Sequence, residues 1–169
     1  MRKQIVGLIV VILLVMVVLS SFIIYNEWPL LTGKKIVLAT QPVDPFDPFR
    51  GQYIQINYEI SRINNLEGSE EGDLIYINLE KDESGIWRMT DASFKKPERG
   101  DFIRGEISNK NSDRISVIYG IEQYFFERNS EFPTSNISVE VSVANSGRAK
   151  ISEILHNGKP VEINYTNNK

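Results

Sequence analysis

The sequence predicts an all-β domain, mainly an antiparallel sandwich or partly open barrel, that follows one N-terminal transmembrane helix. Two observations lead to this prediction. The first 25 residues are almost wholly apolar, whereas the remaining 144 are polar and mixed. In this second part, short runs of alternating apolar and polar residues are separated by clusters of Gly, Asn, Asp and Ser, a pattern typical of strands joined by turns.

The N-terminal segment has the length of a membrane crossing. From Ile5 to Tyr25 it contains no charge and no proline, and as a helix it would span about 30 Å, the thickness of a bilayer core. Arg2 and Lys3 precede it, and basic residues favour the cytoplasmic side. We therefore predict a single-pass cell-membrane protein that contacts the lipid bilayer through residues 5–25, with a cytoplasmic N-terminus and an extracytoplasmic domain.

A cleaved signal peptide is the alternative for this segment. Its apolar region is about 7–15 residues long and ends at a small-residue cleavage site. Here the apolar run is longer and continues past Ser21 to Tyr25. We therefore expect an uncleaved anchor over residues 1–25, a tether over 26–34 and a β-rich domain over 35–169. Tyr25 and Trp28 suit an aromatic belt at the membrane interface.

Nine segments of the second part read as strands. The clearest is 52–60, in which Ile54, Ile56, Tyr58 and Ile60 alternate with polar residues. Asn157-Gly158 and residues 145–147 are hairpin-type turns, and residues 121–128 fit either a short helix or a strand. The predicted strands are residues 35–40, 52–60, 74–79, 86–90, 102–107, 114–119, 137–143, 150–155 and 161–165.

Composition excludes several function classes. The chain has 19 basic and 22 acidic residues, and two of the basic ones, Arg2 and Lys3, precede the apolar run. The rest is therefore acidic and has no basic run, which argues against binding nucleic acid because phosphates require clustered Lys and Arg. The chain has no cysteine, which excludes disulfides, thiolate metal sites and a cysteine nucleophile.

A loop over residues 41–50 contains three prolines and three charged residues, Asp44, Asp47 and Arg50. The two carboxylates could offer oxygens to a cation, but calcium takes six to eight oxygen ligands. Local Asx-turns, or a salt bridge to Arg50, account for them more simply. We therefore predict no metal and no cofactor.

The sequence offers little for catalysis. His156 is the single histidine, lies beside a turn and has no nucleophile motif near it, so a Ser-His-Asp hydrolase is not expected. A Ser-Lys peptidase would need a serine in a loop after the anchor, whereas Ser20 and Ser21 lie inside the apolar run. We predict no catalytic residue.

Residues 51–58 resemble the motif that gives the GDYXXLXY family its name. Gly51, Tyr53 and Tyr58 match it, whereas Gln52 replaces its Asp and Ile56 its Leu. A role that needs a carboxylate at position 52 therefore does not carry over. The resemblance implies a bacterial, single-span envelope protein of unknown function, often associated with larger multi-span membrane proteins, and it implies no reaction.

A second block, residues 119–122 followed by Tyr124 and Phe125, is also similar to the family. The aromatic residues at 119 and 124–126 fit a core, and the alternative is an exposed recognition patch.

We therefore expect a non-enzymatic interaction or accessory module that binds another membrane protein. The alternatives are a small-ligand or cation sensor and a membrane-proximal Ser-Lys hydrolase. The candidate binding residues are Asp44, Asp47, Arg50, Gly51, Gln52, Tyr53, Tyr58, Tyr119, Gly120, Glu122 and Tyr124.

Overall fold

The computed structural model describes residues 2–41, 53–64, 66–111, 114–125, 130–131, 133, 135–161 and 164–165. It is mainly β-sheet, with one long apolar helix at the N-terminus. The predicted fold class is therefore confirmed.

Helix α1 runs from Arg2 to Thr32. From Ile5 to Leu19 its large apolar side chains are exposed on every side of the helix, because no described residue of the domain packs around them. Among the described residues, α1 is the one helix that by length and composition could cross a membrane. The helix continues through most of residues 26–34, the predicted tether, and Pro29 lies inside it. The domain is therefore joined to the apolar segment by helix.

The strands follow α1 in short succession, with one 3-10 turn between β2 and β3. The 3-10 turn is Glu59–Ser61. The strands are β1 (Lys34–Ala39), β2 (Tyr53–Gln55), β3 (Arg62–Asn64), β4 (Leu74–Lys81), β5 (Trp87–Ser93), β6 (Asp101–Lys110), β7 (Arg114–Ile118), β8 (Gln123–Phe125), β9 (Ser130–Glu131), β10 (Ile137–Val143), β11 (Ala149–His156), β12 (Lys159–Pro160) and β13 (Asn164–Tyr165).

Nine of the strands form one sheet in the order β12-β11-β10-β1-β5-β4-β6-β7-β3, and β2–β8 and β9–β13 form separate two-stranded ribbons. The pairs are antiparallel except that of β1 and β5, which run parallel at Leu38 and Trp87. The turn after β10 reaches β6, where the backbone N–H of Arg104 donates to the Gly147 carbonyl at 2.8 Å. The sheet therefore curls back toward itself around one core.

The core is built from alternate residues of these strands. Leu38, Ile77, Ile103 and Val141 are completely buried, whereas their neighbours along each strand are more exposed. Each such aliphatic side chain contributes about 1.5–3 kcal/mol on burial. The alternation that predicted the strands is therefore the alternation that fills the core.

The segment over residues 52–60 was predicted as one strand, and this prediction is wrong in part. Its apolar face is buried as expected, from Ile54 to Ile60. Regular strand pairing nevertheless stops at Gln55 because the segment changes partner: β2 pairs with β8, whereas the Asn57 carbonyl accepts a hydrogen bond from the Gln41 backbone N–H. Tyr58 keeps one isolated bridge to Thr40 before the 3-10 turn.

The open alternative over residues 121–128 resolves as strand β8, with residues 126–128 outside the described part of the chain. Of the last predicted strand, 161–165, Val161 lies outside any strand and Asn164–Tyr165 form β13, and residues 162–163 are outside the described part of the chain. Asn157 and Gly158 both have positive φ, 52° and 76°, as a tight hairpin turn requires. The predicted turn between β11 and β12 is therefore confirmed.

Candidate functional site

The proline loop falls outside the described residues. Asp44, Asp47, Arg50, Gly51 and Gln52 all lie in the segment 42–52. Tyr53 opens β2, and its backbone pairs with Phe125. The remaining candidates, Tyr58, Tyr119, Gly120, Glu122 and Tyr124, are described, and the structure brings them close together beside the β2–β8 ribbon.

The two tyrosines Tyr58 and Tyr119 form a buried pair. Their rings meet edge to face, with centroids 6.5 Å apart. The Tyr58 hydroxyl donates to the Ile121 carbonyl at 2.7 Å, and the Tyr119 hydroxyl donates to the Ile60 carbonyl at 2.5 Å. Each hydroxyl thus satisfies a backbone acceptor from the other tyrosine's segment. Tyr58, the last residue of the motif, is completely buried, so we interpret its role as structural.

Glu122 holds the turn that carries this pair. Its carboxylate accepts hydrogen bonds from the backbone N–H groups of Tyr119, at 2.5 Å, and Gly120, at 2.9 Å. Gly120 has a φ of 77°, which glycine adopts without strain. The Glu122 carbonyl accepts a further bond from the Ile56 N–H. Residues 119–122 therefore form a turn that is hydrogen-bonded to the segment 51–58, which contains the motif.

Burial raises the pKa of Tyr58 and Tyr119 well above the ordinary value, and the negative charge of Glu122 raises it further. Both phenols therefore stay protonated and donate their hydrogen bonds at physiological pH. A phenol with a raised pKa in a dry core is a poor general base, which also favours a structural role.

The other aromatic residues of this segment lie nearer the surface. Tyr124 is half-buried and packs against the core, and 69% of Phe125 is exposed. Phe126 lies outside the described residues. The aromatic residues are thus divided: Tyr119 is core, whereas Phe125 contributes to an outer surface.

A second constellation, missed by the sequence reasoning, lies where α1 meets the sheet. We call it the junction: residues 25–34, at the end of α1 and the start of β1, together with residues 142–150 of the β10–β11 hairpin. The buried Ser142 hydroxyl donates to the Pro29 carbonyl at 2.6 Å, and the Gly33 N–H donates to the same carbonyl at 2.8 Å. A Cβ on Gly33 would lie 2.2 Å from that oxygen, so this contact requires glycine.

Charged side chains close the rest of the junction. Pro29 has no N–H, so the Tyr25 carbonyl, four residues earlier, lacks its helical donor. The Arg148 guanidinium donates to that carbonyl at 3.2 Å and stacks 4.2 Å from the centre of the Tyr25 ring. Lys150 forms a salt bridge with Glu27. The helix end is therefore held by packing, hydrogen bonds and an ion pair.

Beside the junction lies a cavity of about 690 Å³. One wall is the last part of α1, and the other is formed by the β10–β11 turn and nearby basic residues. Tyr25 and Trp28 supply aromatic surface, and Lys96, Arg104 and Arg148 supply positive charge. We call this space the junction cavity; its lining is Ser21, Ile24, Tyr25, Trp28, Lys96, Arg104, Ala144, Asn145, Ser146 and Arg148.

Only part of the junction had a signal in the sequence. Tyr25 and Trp28 follow the apolar run and were expected at an interface. Arg148, the partner of Tyr25, and Lys150, the partner of Glu27, each lie 123 residues later in the chain, so no local pattern connects them.

Among the described residues, no group of three or more His, Cys, Asp or Glu is placed to hold a metal ion. Two serine hydroxyls donate to backbone carbonyls of α1: Ser21 to Val17 at 2.8 Å and Ser142 to Pro29 at 2.6 Å.

A family model described as GDYXXLXY protein matches residues 15–154. The match includes the end of the apolar run, the junction and most of the sheet. No curated protein and no solved structure matches the chain.

Proposed function

The chain belongs to the GDYXXLXY family, and from this premise we propose that it is a membrane-anchored envelope protein whose β-domain is a non-enzymatic accessory module for a neighbouring membrane protein. The observation that carries the proposal is the contrast along α1. Residues 5–19 of its apolar run are covered by no described residue of the domain, whereas the end of the helix is held to the domain by the junction.

The exposed apolar surface of α1 supports insertion in a membrane. Large aliphatic side chains of the run are mostly exposed, for example 61% of Leu14 and 65% of Val17. Leaving such a side chain in water costs about 1.5–3 kcal/mol relative to burying it, and this applies along the whole run. Lipid tails, or apolar helices of a neighbouring protein, would cover the run at no such cost. Arg2 and Lys3 favour the N-terminus on the cytoplasmic side.

The junction supports an accessory role for the domain. A flexible tether would allow the domain to change its distance and orientation relative to the membrane. A helix that runs up to the domain and packs on it would keep the domain at a fixed height above the membrane. A surface presented in this way can meet a neighbouring membrane protein repeatedly in one orientation. We assign two parts of the chain to this partner: residues 42–52, which lie outside the described residues, and the exposed side chains of Gln55 and Phe125 on the β2–β8 ribbon.

Substitutions in the loop test this surface. The full chain with Asp44→Ala and Arg50→Ala is expressed in intact cells, cross-linked, and purified from membranes to identify its partners. Asp91→Ala with Arg114→Ala is the matched control, because it removes the same two charges from exposed positions on β5 and β7. We expect the loop variant to lose a membrane-protein partner that the control keeps. An unchanged set of partners in the loop variant would remove this surface from the proposal.

A further inference from the structure

The lining of the junction cavity combines three features. It includes aromatic residues at the end of the apolar run, it contains three basic side chains, and none of its described residues is acidic. The basic side chains are also not neutralised within the described part of the chain, because the salt bridges found there involve none of them. Lys96 instead faces the Phe102 ring and Arg148 the Tyr25 ring.

The positive charge is confined to the cavity region, since the chain as a whole has a net charge of −3. Two lysines of the junction differ from the basic residues of the cavity: Lys34 is paired with Asp101 and Lys150 with Glu27. The charges of these two lysines are therefore neutralised, whereas Lys96 and Arg104, which line the cavity, form no salt bridge within the described part of the chain. A mostly acidic protein with an uncompensated basic cavity is expected to use that cavity for an anion.

The position of the cavity identifies the kind of anion. If the bilayer core begins at Ile5, about 30 Å of helix carries it to the region of Ile24. Ser21, Ile24, Tyr25 and Trp28 line the cavity, so its helix wall crosses from acyl chains into headgroups. Phospholipid phosphates lie at that height, and basic residues close to the surface attract anionic lipids.

We propose that the junction cavity binds the headgroup of an anionic phospholipid, with its phosphate against Lys96, Arg104 and Arg148 and its acyl chains along the Ser21–Ile24 face of α1. Arg104 is well placed for this role because its backbone is fixed by the bond to Gly147. The proposal rests on α1 being a membrane anchor, but it does not require the protein partner proposed above.

Trp28 provides a probe inside the cavity. The chain has two tryptophans, so Trp87→Phe in the full chain leaves Trp28 as the single tryptophan. The protein is reconstituted in phosphatidylcholine vesicles containing phosphatidylglycerol, with bromine on the acyl chains of one lipid at a time. Bromine quenches tryptophan at short range, and the two lipids are compared at equal mole fraction.

We expect brominated phosphatidylglycerol to quench Trp28 more strongly than brominated phosphatidylcholine. Lys96→Gln and Arg104→Gln, alone and together, should each lower the preference for phosphatidylglycerol about fivefold per charge removed. Arg114→Gln, at an exposed site on β7, is the matched control and should retain the preference. Soluble glycerol phosphate at millimolar concentration should not reduce it.

Equal quenching by the two lipids, or a preference that persists in the double variant, would overturn the proposal. Loss of the preference on addition of glycerol phosphate would assign the cavity to a soluble phosphate and would also overturn it. Absence of quenching by either lipid would mean that α1 does not enter the bilayer. That result contradicts the anchor and the lipid site together, and is distinct from failure of the site alone.

Discussion

The guanidinium of Arg148 occupies the hydrogen-bond position that a helical N–H would otherwise fill at the Tyr25 carbonyl. The vacancy arises because Pro29, four residues later, has no N–H to donate. Pro29 would weaken an isolated helix, but here it leaves the Tyr25 carbonyl free to accept a hydrogen bond from the domain.

A double-mutant cycle tests this relationship. Arg148→Gln alone should destabilise the protein by about 1 kcal/mol, because the Tyr25 carbonyl loses a charged donor near the surface. In a Pro29→Ala background the backbone supplies its own N–H, so the same substitution should cost less, with a coupling of about 0.5 kcal/mol or more. Denaturant unfolding in micelles, followed by the fluorescence of the domain, measures both. Equal costs in the two backgrounds would contradict the proposed link to Pro29.

The close approach at Gly33 leads to a second prediction. A methyl group there would lie 2.2 Å from the Pro29 oxygen and 2.5 Å from the Ser142 Oγ, so Gly33→Ala must displace the helix end from β10. We expect a loss of about 1–3 kcal/mol, the usual cost of overpacking. Gly7→Ala is the control, because beyond its chain neighbours and the backbone of its own helix no described atom lies within 4 Å of a Cβ at that position. A Gly33→Ala protein as stable as Gly7→Ala would mean that the helix end is not packed on the sheet.

The motif tyrosine gives a third prediction. Tyr58→Phe keeps the ring but leaves the buried Ile121 carbonyl without its donor. An unsatisfied buried acceptor costs about 1–3 kcal/mol, and we expect a loss in that range from the midpoint of urea unfolding. Tyr124→Phe, at a half-buried position, should cost less. If Tyr58→Phe is neutral, the motif tyrosine is not retained for this hydrogen bond.

The same pair should make stability fall in alkali. The folded-state pKa of Tyr58 and Tyr119 is raised by burial, and further by Glu122, whereas in the unfolded chain each titrates near the ordinary value of about 10. Their contribution is therefore fully present below pH 10 and is lost as pH rises above it. Between pH 9 and 11.5, the free energy of unfolding should fall more steeply with rising pH in the unsubstituted protein than in the double variant Tyr58→Phe, Tyr119→Phe. Parallel curves would show that the phenols are not held neutral by the fold.

The fold was largely predictable because alternation records burial residue by residue. Val139 and Val141 of β10 point inward as their spacing indicated, and the positive φ values at Asn157 and Gly158 are those that the residue types favour. The strand over 52–60 was mistaken in its extent because its burial pattern continues after its hydrogen-bond partner changes. Periodicity reports which face is buried, but not which strand lies alongside.

The site was much less predictable, for a related reason. The sequence singles out the motif at 51–58 and the block at 119–122, yet only the structure places Tyr58 against Tyr119. The junction joins residues 25–33 to residues 142–150 through contacts of single atoms. Contacts of this kind produce no regular spacing in a single sequence. Lys96 and Arg104 line one cavity because the fold brings them together, so they do not form a basic run in the sequence.

The central claim is that residues 5–25 cross a membrane once and hold the sheet domain on its far side. The chain contains no cysteine, so single cysteines can be introduced at Lys3→Cys and, in the exposed β12, at Lys159→Cys. Intact cells are treated with a membrane-impermeant maleimide, and the full-length protein is recovered from carbonate-washed membranes. We predict that the cysteine at position 159 is labelled at once and the one at position 3 only after lysis. Labelling in the opposite order, or recovery of a shortened chain in the soluble fraction, would contradict the account.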